Sequence, residues 1–374
     1  MADHAKLSPS GAYRWMNCPR SVELSCGLPD EAGECAAQGT EAHALAEFKV
    51  RKAMGMAMPD PRGGMQFLDA EMEEATDSWA LMAMEFLAEA KAASPGAFCY
   101  PEVRLNLSRW LPEGFGTADA VIGADGLLTV ADFKYGSGVP VEAEGNPQLR
   151  IYALGAMDAL DWLYDFDRVR MVIFQPRRGG FRSCEMSTAD LLLWGDLELR
   201  PAAEAAYKGE GGFKPGDWCR FCKAKTLCRA RAEENLKLAR YDFAPPAELE
   251  DHEIEAILPM LDNLESWAGD VKAYALKRAL EGHAWSGFKL VEGRSNRRYS
   301  DEKAVADAVI GAGFDPYEKS ILGITDMQKM LGRKKFDELL GGLLVKPQGK
   351  PTLVPDTDKR PAFSNAQSDF SQEV

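Results

Sequence analysis

A mixed α/β (α+β) fold, a central sheet flanked by helices and followed by a smaller helical module, is predicted by three observations. Two β-rich runs, GTADAVIGA (116–124) and LLTVADFKY (127–135), are joined by Asp125-Gly126, a strong hairpin signal. A helical stretch and then a buried apolar run, VRMVIFQP (169–176), follow them. Stretches rich in Ala, Glu, Met and Leu precede and follow this β-rich block.

In chain order, roughly 8–55 reads as helical, with Ser8 a candidate N-cap and Pro9 in the first turn. A second helical stretch, about 67–93, ends at Ser94-Pro95-Gly96. PEVRLNL (101–107) alternates like a strand, and the hairpin partners come next. A helix is expected over about 147–161, the buried strand at 169–176 and a further helix over roughly 187–208. The order is thus helices, three antiparallel strands, a helix, a strand and a helix, which makes a mixed sheet. Lys214 to Cys228 reads as a compact cysteine-bearing loop, and 246–282 as helical again. Residues 301–342 suggest a small module with helices at 302–311 and near 325–340, and the polar, Pro-rich end suggests a tail without a core. The expected division is 1–240, 241–345 and a disordered tail at 346–374.

The 374 residues are enough for two or three domains, and 46% hydrophobic with 27% charged residues is an ordinary globular composition. The formal net charge of −14 argues against a protein that coats nucleic acid non-specifically. It leaves room for an enzyme with a local basic groove, and clustered carboxylates also hold divalent cations. No apolar run reaches the roughly 18 residues of a membrane span, and the MADHAKLSPSG start does not read as a secretory signal. A cytoplasmic protein is expected. In that compartment the eight cysteines argue against a disulfide framework.

Asp119 lies in the middle of an apolar strand, where a charge is costly unless it is paired or ligates a metal. Asp132 and Lys134 are two apart on the next strand and share a face, and the hairpin brings Asp119 near them. Two carboxylates and an ammonium suit a hard divalent cation, Mg2+ or Mn2+, with an activated water. The carboxylates would hold the ion; the lysine would orient or help deprotonate the water and offset phosphate charge. The competing reading is an Asp–Lys pair on a solvated sheet face. Glu102, opening the preceding strand, is a further candidate ligand or a solvated strand-end charge. His43, in GTEAHALAE, is a helical histidine after a Gly-Thr start, and Gln148 and Tyr152 share one helix face.

Cys219, Cys222 and Cys228 form C-x2-C-x5-C, a metal-ligand type of spacing. With no Cys or His after Cys228 until His252, the fourth ligand must come from elsewhere. Cys18, in WMNCPR, is the candidate, since a Cys-Pro pair recurs beside iron–sulfur clusters. Thiolate count alone does not separate a [4Fe–4S] cluster from a structural Zn2+ site. Cys26, Cys35, Cys99 and Cys184 read as ordinary thiols. Arg177, Arg178, Arg220, Lys223, Lys225 and Arg229 are candidate phosphate contacts or solvated surface charges.

The string Gly116-x-x-Asp119, then Asp132-Phe133-Lys134, then Gln148-Leu-Arg-Ile-Tyr152, with Gly39-x-x-x-His43 upstream, resembles the RecB-like branch of the PD-(D/E)XK nucleases. The resemblance covers residues 39–152 and implies a restriction-endonuclease-like core acting on DNA. It implies metal ligation by Asp119 and Asp132, catalysis by Lys134, and an additional ligand or phosphate contact at His43. Gln148 and Tyr152 would position the substrate strand and the lysine. Asp132, shorter by one methylene but chemically equivalent, stands where many relatives carry Glu. The cysteine pattern resembles the iron–sulfur members, among them the AddB nuclease domain and the exonucleases of CRISPR adaptation, in which a [4Fe–4S] cluster staples the start of the chain to the end of the core.

The whole chain also resembles an uncharacterised family of phages and prophages. This implies an exonuclease in phage recombination or replication, beside a single-strand-binding or annealing protein. The alternative is a catalytically weak nucleic-acid or protein-binding module that keeps the fold and cluster.

Overall fold

The structure is a computed structural model that describes residues 5–29, 34–238, 249–291, 299–317 and 321–345. By backbone contacts the chain divides into two units, Met1–Glu281 and Gly282–Val374. The boundary expected at 240/241 and the tail expected at 346–374 lie outside the described residues.

The first unit is built on a five-stranded mixed sheet in sequential order: β1 (Phe98–Asn106), β2 (Phe115–Ala124), β3 (Gly126–Phe133), β4 (Phe166–Gln175) and β5 (Gly180–Ser187). β1, β2 and β3 form an antiparallel meander, β3 and β4 are parallel, and β4 and β5 are antiparallel. The Asp125-Gly126 turn is where the sequence places it. Gly126 has φ 87°, which glycine adopts at little cost, and its N–H donates to Asp165 O at 2.7 Å. The parallel β3–β4 step requires a crossover, supplied by α5 (Pro147–Leu160). Asn146 caps that helix by accepting from Leu149 N, with Pro147 in the first turn.

The sheet is covered on both faces. On one, Leu128, Val130, Met171 and Ile173 pack with Leu149, Ile151 and Leu154 of α5. On the other, Ala131, Phe133, Val172 and Phe174 pack with Leu45 and Phe48 of α3 (Glu34–Ala53) and Trp79 and Ala83 of α4 (Ala70–Ala93). The near-continuous apolar runs of β3 and β4 follow from this two-sided burial.

Three expectations are corrected. The helical stretch 8–55 is broken into a 3-10 turn (Pro9–Gly11), α1 (Ala12–Asn17), α2 (Ser21–Leu24) and α3; Ser8 does cap the first turn, accepting from Gly11 N. β5 was not expected. Its short, polar, alternating sequence GFRSCEMS suits an edge strand with one face in solvent and carries no apolar run to announce it. The helix expected over 187–208 is α6 (Thr188–Trp194) and α7 (Arg200–Lys208), joined by a π turn at Gly195–Leu199. A Cβ on Gly195 would lie 2.6 Å from the Trp110 ring, so the turn sits where the indole presses on the backbone.

Beyond the cysteine loop come α8 (Arg229–Leu236) and the 30-residue α9 (Asp251–Leu280). The second unit contains α10 (Glu302–Gly311), α11 (Ile324–Leu331) and α12 (Arg333–Leu340), where Gly332 with φ 73° separates the last two. Ala306 and Phe336 are its buried apolar residues among those described. No helix among the described residues is long and apolar enough to cross a membrane.

Candidate metal centre and cysteine cavity

The candidate site forms where β1, β2, the end of β3, α3 and the first turn of α5 converge. Asp119 is tied across the hairpin, its Oδ2 accepting from Phe133 N at 2.7 Å. Its other oxygen faces α3, with Oδ1 3.4 Å from His43 Nδ1. Glu102 Oε1 lies 3.7 Å from the same nitrogen. Ligand atoms of His43, Glu102 and Asp119 all lie within 4.8 Å of one another, and no other such group of His, Cys, Asp or Glu is found among the described residues.

Glu102 is held at a cost. Its φ of 48° is in the left-handed region, rare for a residue with a Cβ. The preceding carbonyl is gripped from α3, where Arg51 Nη2 donates to Pro101 O at 3.2 Å and Arg51 Nε pairs with Glu47 at 2.7 Å. Strain of this kind persists when the surroundings over-determine it, and it gathers at functional sites.

Asp132 makes a different set of contacts. Its carboxylate is 2% exposed, with Oδ2 2.8 Å from Lys134 Nζ and Oδ1 accepting from Gln148 Nε2 at 2.8 Å. Lys134 in turn donates to Gln148 Oε1 at 3.2 Å, so the three side chains close a ring. The period-2 expectation that Asp132 and Lys134 share a face is met. Of the four expected ligands, His43, Glu102 and Asp119 come together, while Asp132 is turned to the lysine and the amide.

The electrostatics follow from burial and neighbours. Burial alone would lower the His43 pKa, but the Asp119 charge and the hydrogen bonds to Asp119 and Glu102 lift it to about 10. Burial, reinforced by the Asp119 charge, raises Glu102 above the usual carboxylate range, with His43 opposing. Burial also raises Asp132, against the pull of Lys134. For Lys134 the charges of Asp132 and Asp119 outweigh burial and keep the ammonium protonated. Burial and the Asp132 and Asp119 charges push the Tyr152 phenol up, keeping it neutral at ordinary pH.

The glycines of the sequence pattern behave differently. A Cβ on Gly116 would meet Tyr152 Cε1 at 2.8 Å and Pro9 Cγ at 3.0 Å, so its bareness lets the tyrosine close on β2. Gly39 lies inside α3 rather than at its start and has nothing within 4 Å of its missing Cβ. Arg177 is engaged within the chain: it pairs with Glu71 at 2.7 Å, donates to the Tyr135 hydroxyl at 2.8 Å and stacks 4.1 Å above that ring. Arg178 donates to Ser137 O at 2.8 Å.

Cys18, Cys219, Cys222 and Cys228 line one cavity with Arg14, Trp218 and Arg231. Lys214 N donates to Cys18 Sγ and Gly216 N to Cys219 Sγ, both at 3.4 Å, and Ser25 Oγ lies 3.7 Å from Cys222 Sγ. Tyr13 of α1 meets Trp218 of the loop edge to face at 5.8 Å, joining the start of the chain to residues far along it. Arg231, 4% exposed, is paired with Asp270 of α9 at 2.6 Å, and Lys225 reaches the same carboxylate at 2.7 Å. This clamp was not legible in the sequence, since no local pattern links the loop to α9. Burial pushes the Cys219 thiol up, opposed by the Gly216 N–H and Arg231. Of the remaining thiols, Cys26 and Cys35 are exposed, Cys184 is half-buried, and Cys99 is buried and pushed up to about 12.

A family model described as "Protein of unknown function (DUF2800)" matches residues 4–361. Among solved structures, one titled "Crystal structure of SSO0001" is similar over 52% of this chain and 98% of that chain, at 16% identity and a TM-score of 0.23.

Proposed function

The chain belongs to the DUF2800 family of proteins of unknown function, and for this member we propose a divalent-metal-dependent deoxyribonuclease with a PD-(D/E)XK core and a four-cysteine iron–sulfur clip. The observation that carries the reading is the adjacency of two devices. The His43, Glu102 and Asp119 donors converge within 4.8 Å, and the Asp132–Lys134–Gln148 ring is joined to them through the Asp119–Phe133 hydrogen bond.

The donor set fits a divalent ion. Two carboxylates and an imidazole suit Mn2+ or Mg2+, and the nitrogen donor leans toward Mn2+. When bound, such an ion supplies a Lewis acid for a phosphoryl oxygen and acidifies a water. His43, Glu102 and Asp119 would hold it, and His43 must first give up the proton that Asp119 and Glu102 favour. Lys134 acts as a cation rather than a base, because its neighbours hold it protonated. Two of its three N–H donors face Asp132 and Gln148, which leaves one for a phosphate oxygen. Gln148 fixes the lysine's direction, and the neutral Tyr152 supports Gln148.

The cysteine cavity gathers Cys18, Cys219, Cys222 and Cys228, four thiols that would serve either a [4Fe–4S] cluster or a structural Zn2+. The resemblance of the cysteine pattern to the iron–sulfur nucleases favours the cluster. Iron and acid-labile sulfide near four of each per chain would support this; stoichiometric zinc without sulfide would contradict it. By the same resemblance, the DNA would be met in phage recombination or replication, beside a single-strand-binding or annealing protein.

The test is digestion of end-labelled linear DNA, single- and double-stranded, by anaerobically purified protein with Mn2+ or Mg2+ beside Asp132→Asn. Degradation that the variant abolishes supports the nuclease. Binding without degradation by folded, cluster-loaded protein would mark a nucleic-acid platform instead.

A further inference from the structure

Among the His43, Glu102 and Asp119 donors, Glu102 alone stands on left-handed backbone, at φ 48°. Pro101 and Val103 pair with Ala120 and Ala118 of β2, which sets residue 102 opposite Asp119. An ordinary antiparallel residue there would have φ of about −140°, roughly half a turn away, and its side chain would leave the group. β1 is an edge strand, so no second neighbouring strand holds its backbone. Arg51 of α3 does so instead. Its Nη2 donates to Pro101 O at 3.2 Å, and that carbonyl belongs to the peptide plane from which the φ of Glu102 is measured. Its Nε is fixed by Glu47 Oε1 at 2.7 Å. His43, Glu47 and Arg51 follow one another at intervals of four, so they share a face of α3. The same helix thus delivers the imidazole and, further along, the guanidinium that turns Glu102 toward it.

We propose that Arg51 is a positioning residue of the metal centre: by holding Pro101 O it keeps Glu102 in the left-handed conformation in which its carboxylate faces the ion. The inference rests on the metal centre proposed above and adds how the strained donor is brought to it. A lysine cannot take this place, because the two contacts use separate nitrogens of a planar fork. The sign of the effect separates positioning from charge. Removing a cation near a divalent ion tightens binding by Coulomb's law, whereas losing the grip on Pro101 weakens it.

The experiment is calorimetric titration of the full-length protein with Mn2+. Arg51→Met and Arg51→Lys should each weaken Mn2+ binding about tenfold, the scale of a lost partner behind a metal ligand. In a Glu102→Gln background, Arg51→Met should change the affinity no further, since the carboxylate it positions is gone. Lys52→Met, one residue on and exposed, removes a charge from α3 without touching Pro101 and should not weaken binding. A second readout needs no metal. In EDTA the Tm of Glu102→Gly should exceed that of Glu102→Ala only while Arg51 is present, and the gap should close in the Arg51→Met background. Arg51→Met that binds Mn2+ as tightly as wild type or more so, or that weakens it equally with and without the Glu102 carboxylate, overturns the proposal. A Tm gap that survives the loss of Arg51 overturns it too. A wild type that binds no Mn2+ removes the metal centre and this role with it, whereas an Arg51 effect confined to the intact Glu102 supports both.

Discussion

Replacing Glu102 separates the strain at the candidate site from the carboxylate it presents. A non-glycine residue in the left-handed region pays about 1–2 kcal/mol, and Glu102 sits there at φ 48°. Glu102→Ala removes the carboxylate and keeps the strain. Glu102→Gly removes both, at the expense of about 0.5–1 kcal/mol of added chain entropy in the unfolded state. The difference leaves glycine about 0.5–1 kcal/mol more stable than alanine, which for a unit of this size is about 1–4 °C in Tm. Thermal unfolding of both variants in EDTA measures it, and calorimetric Mn2+ titration measures the other half: both should lose Mn2+ affinity alike. Alanine as stable as glycine would show that no strain is stored at residue 102. Retained Mn2+ affinity in the glycine variant would remove Glu102 from the ligand set.

Further outcomes follow from the same geometry. The His43 pKa is raised from 6.5 to about 10, so its charged contacts stabilise the metal-free fold fully below pH 6.5, and that contribution is lost as pH rises through 10. The stability gap between wild type and His43→Gln, followed by thermal melts in EDTA, should therefore be widest near pH 6 and close by pH 10; a constant gap would contradict the assignment. Lys134→Met leaves the buried Asp132 carboxylate uncompensated and should cost about 3–5 kcal/mol at neutral pH. Because burial already raises Asp132, protonation should relieve that cost as pH falls toward 4, and Lys134→Met with Asp132→Asn should recover most of it in urea titrations. Gly116→Ala forces a Cβ to 2.8 Å from the Tyr152 ring and should destabilise by about 1–3 kcal/mol. Gly39→Ala, inside a helix with open space around it, should stabilise by about 0.5–1 kcal/mol in the same assay.

What the sequence makes legible is whatever has a short period or a local cap. The two-residue spacing of Asp132 and Lys134 dictates a shared face. Asp125-Gly126 dictates the hairpin that brings Asp119 alongside, and Asn146-Pro147 dictates the helix start that delivers Gln148. Nothing local encodes the left-handed backbone of Glu102, since a residue with a side chain hides its φ. Tertiary grips are equally silent: Arg51 on Pro101 O and Asp270 on Arg231 join residues far apart in the chain. β5 was missed because an edge strand with polar alternation resembles a loop. Sequence spacing brought Asp132 into the expected ligand set, but spacing cannot say which way a carboxylate turns. It turns toward the buried lysine and amide, while Glu102 and His43, expected as ligands along with it, stand beside Asp119.

The central claim is that the His43, Glu102 and Asp119 group holds the ion with which this protein cleaves DNA. Single-turnover cleavage of an end-labelled oligonucleotide as Mn2+ is titrated, with wild type beside Asp119→Asn, tests it most directly. The account predicts cleavage that saturates with Mn2+ in wild type and a half-saturating Mn2+ concentration at least about tenfold higher in the variant. Cleavage that persists in EDTA, or a variant that follows the wild-type Mn2+ curve, would contradict it.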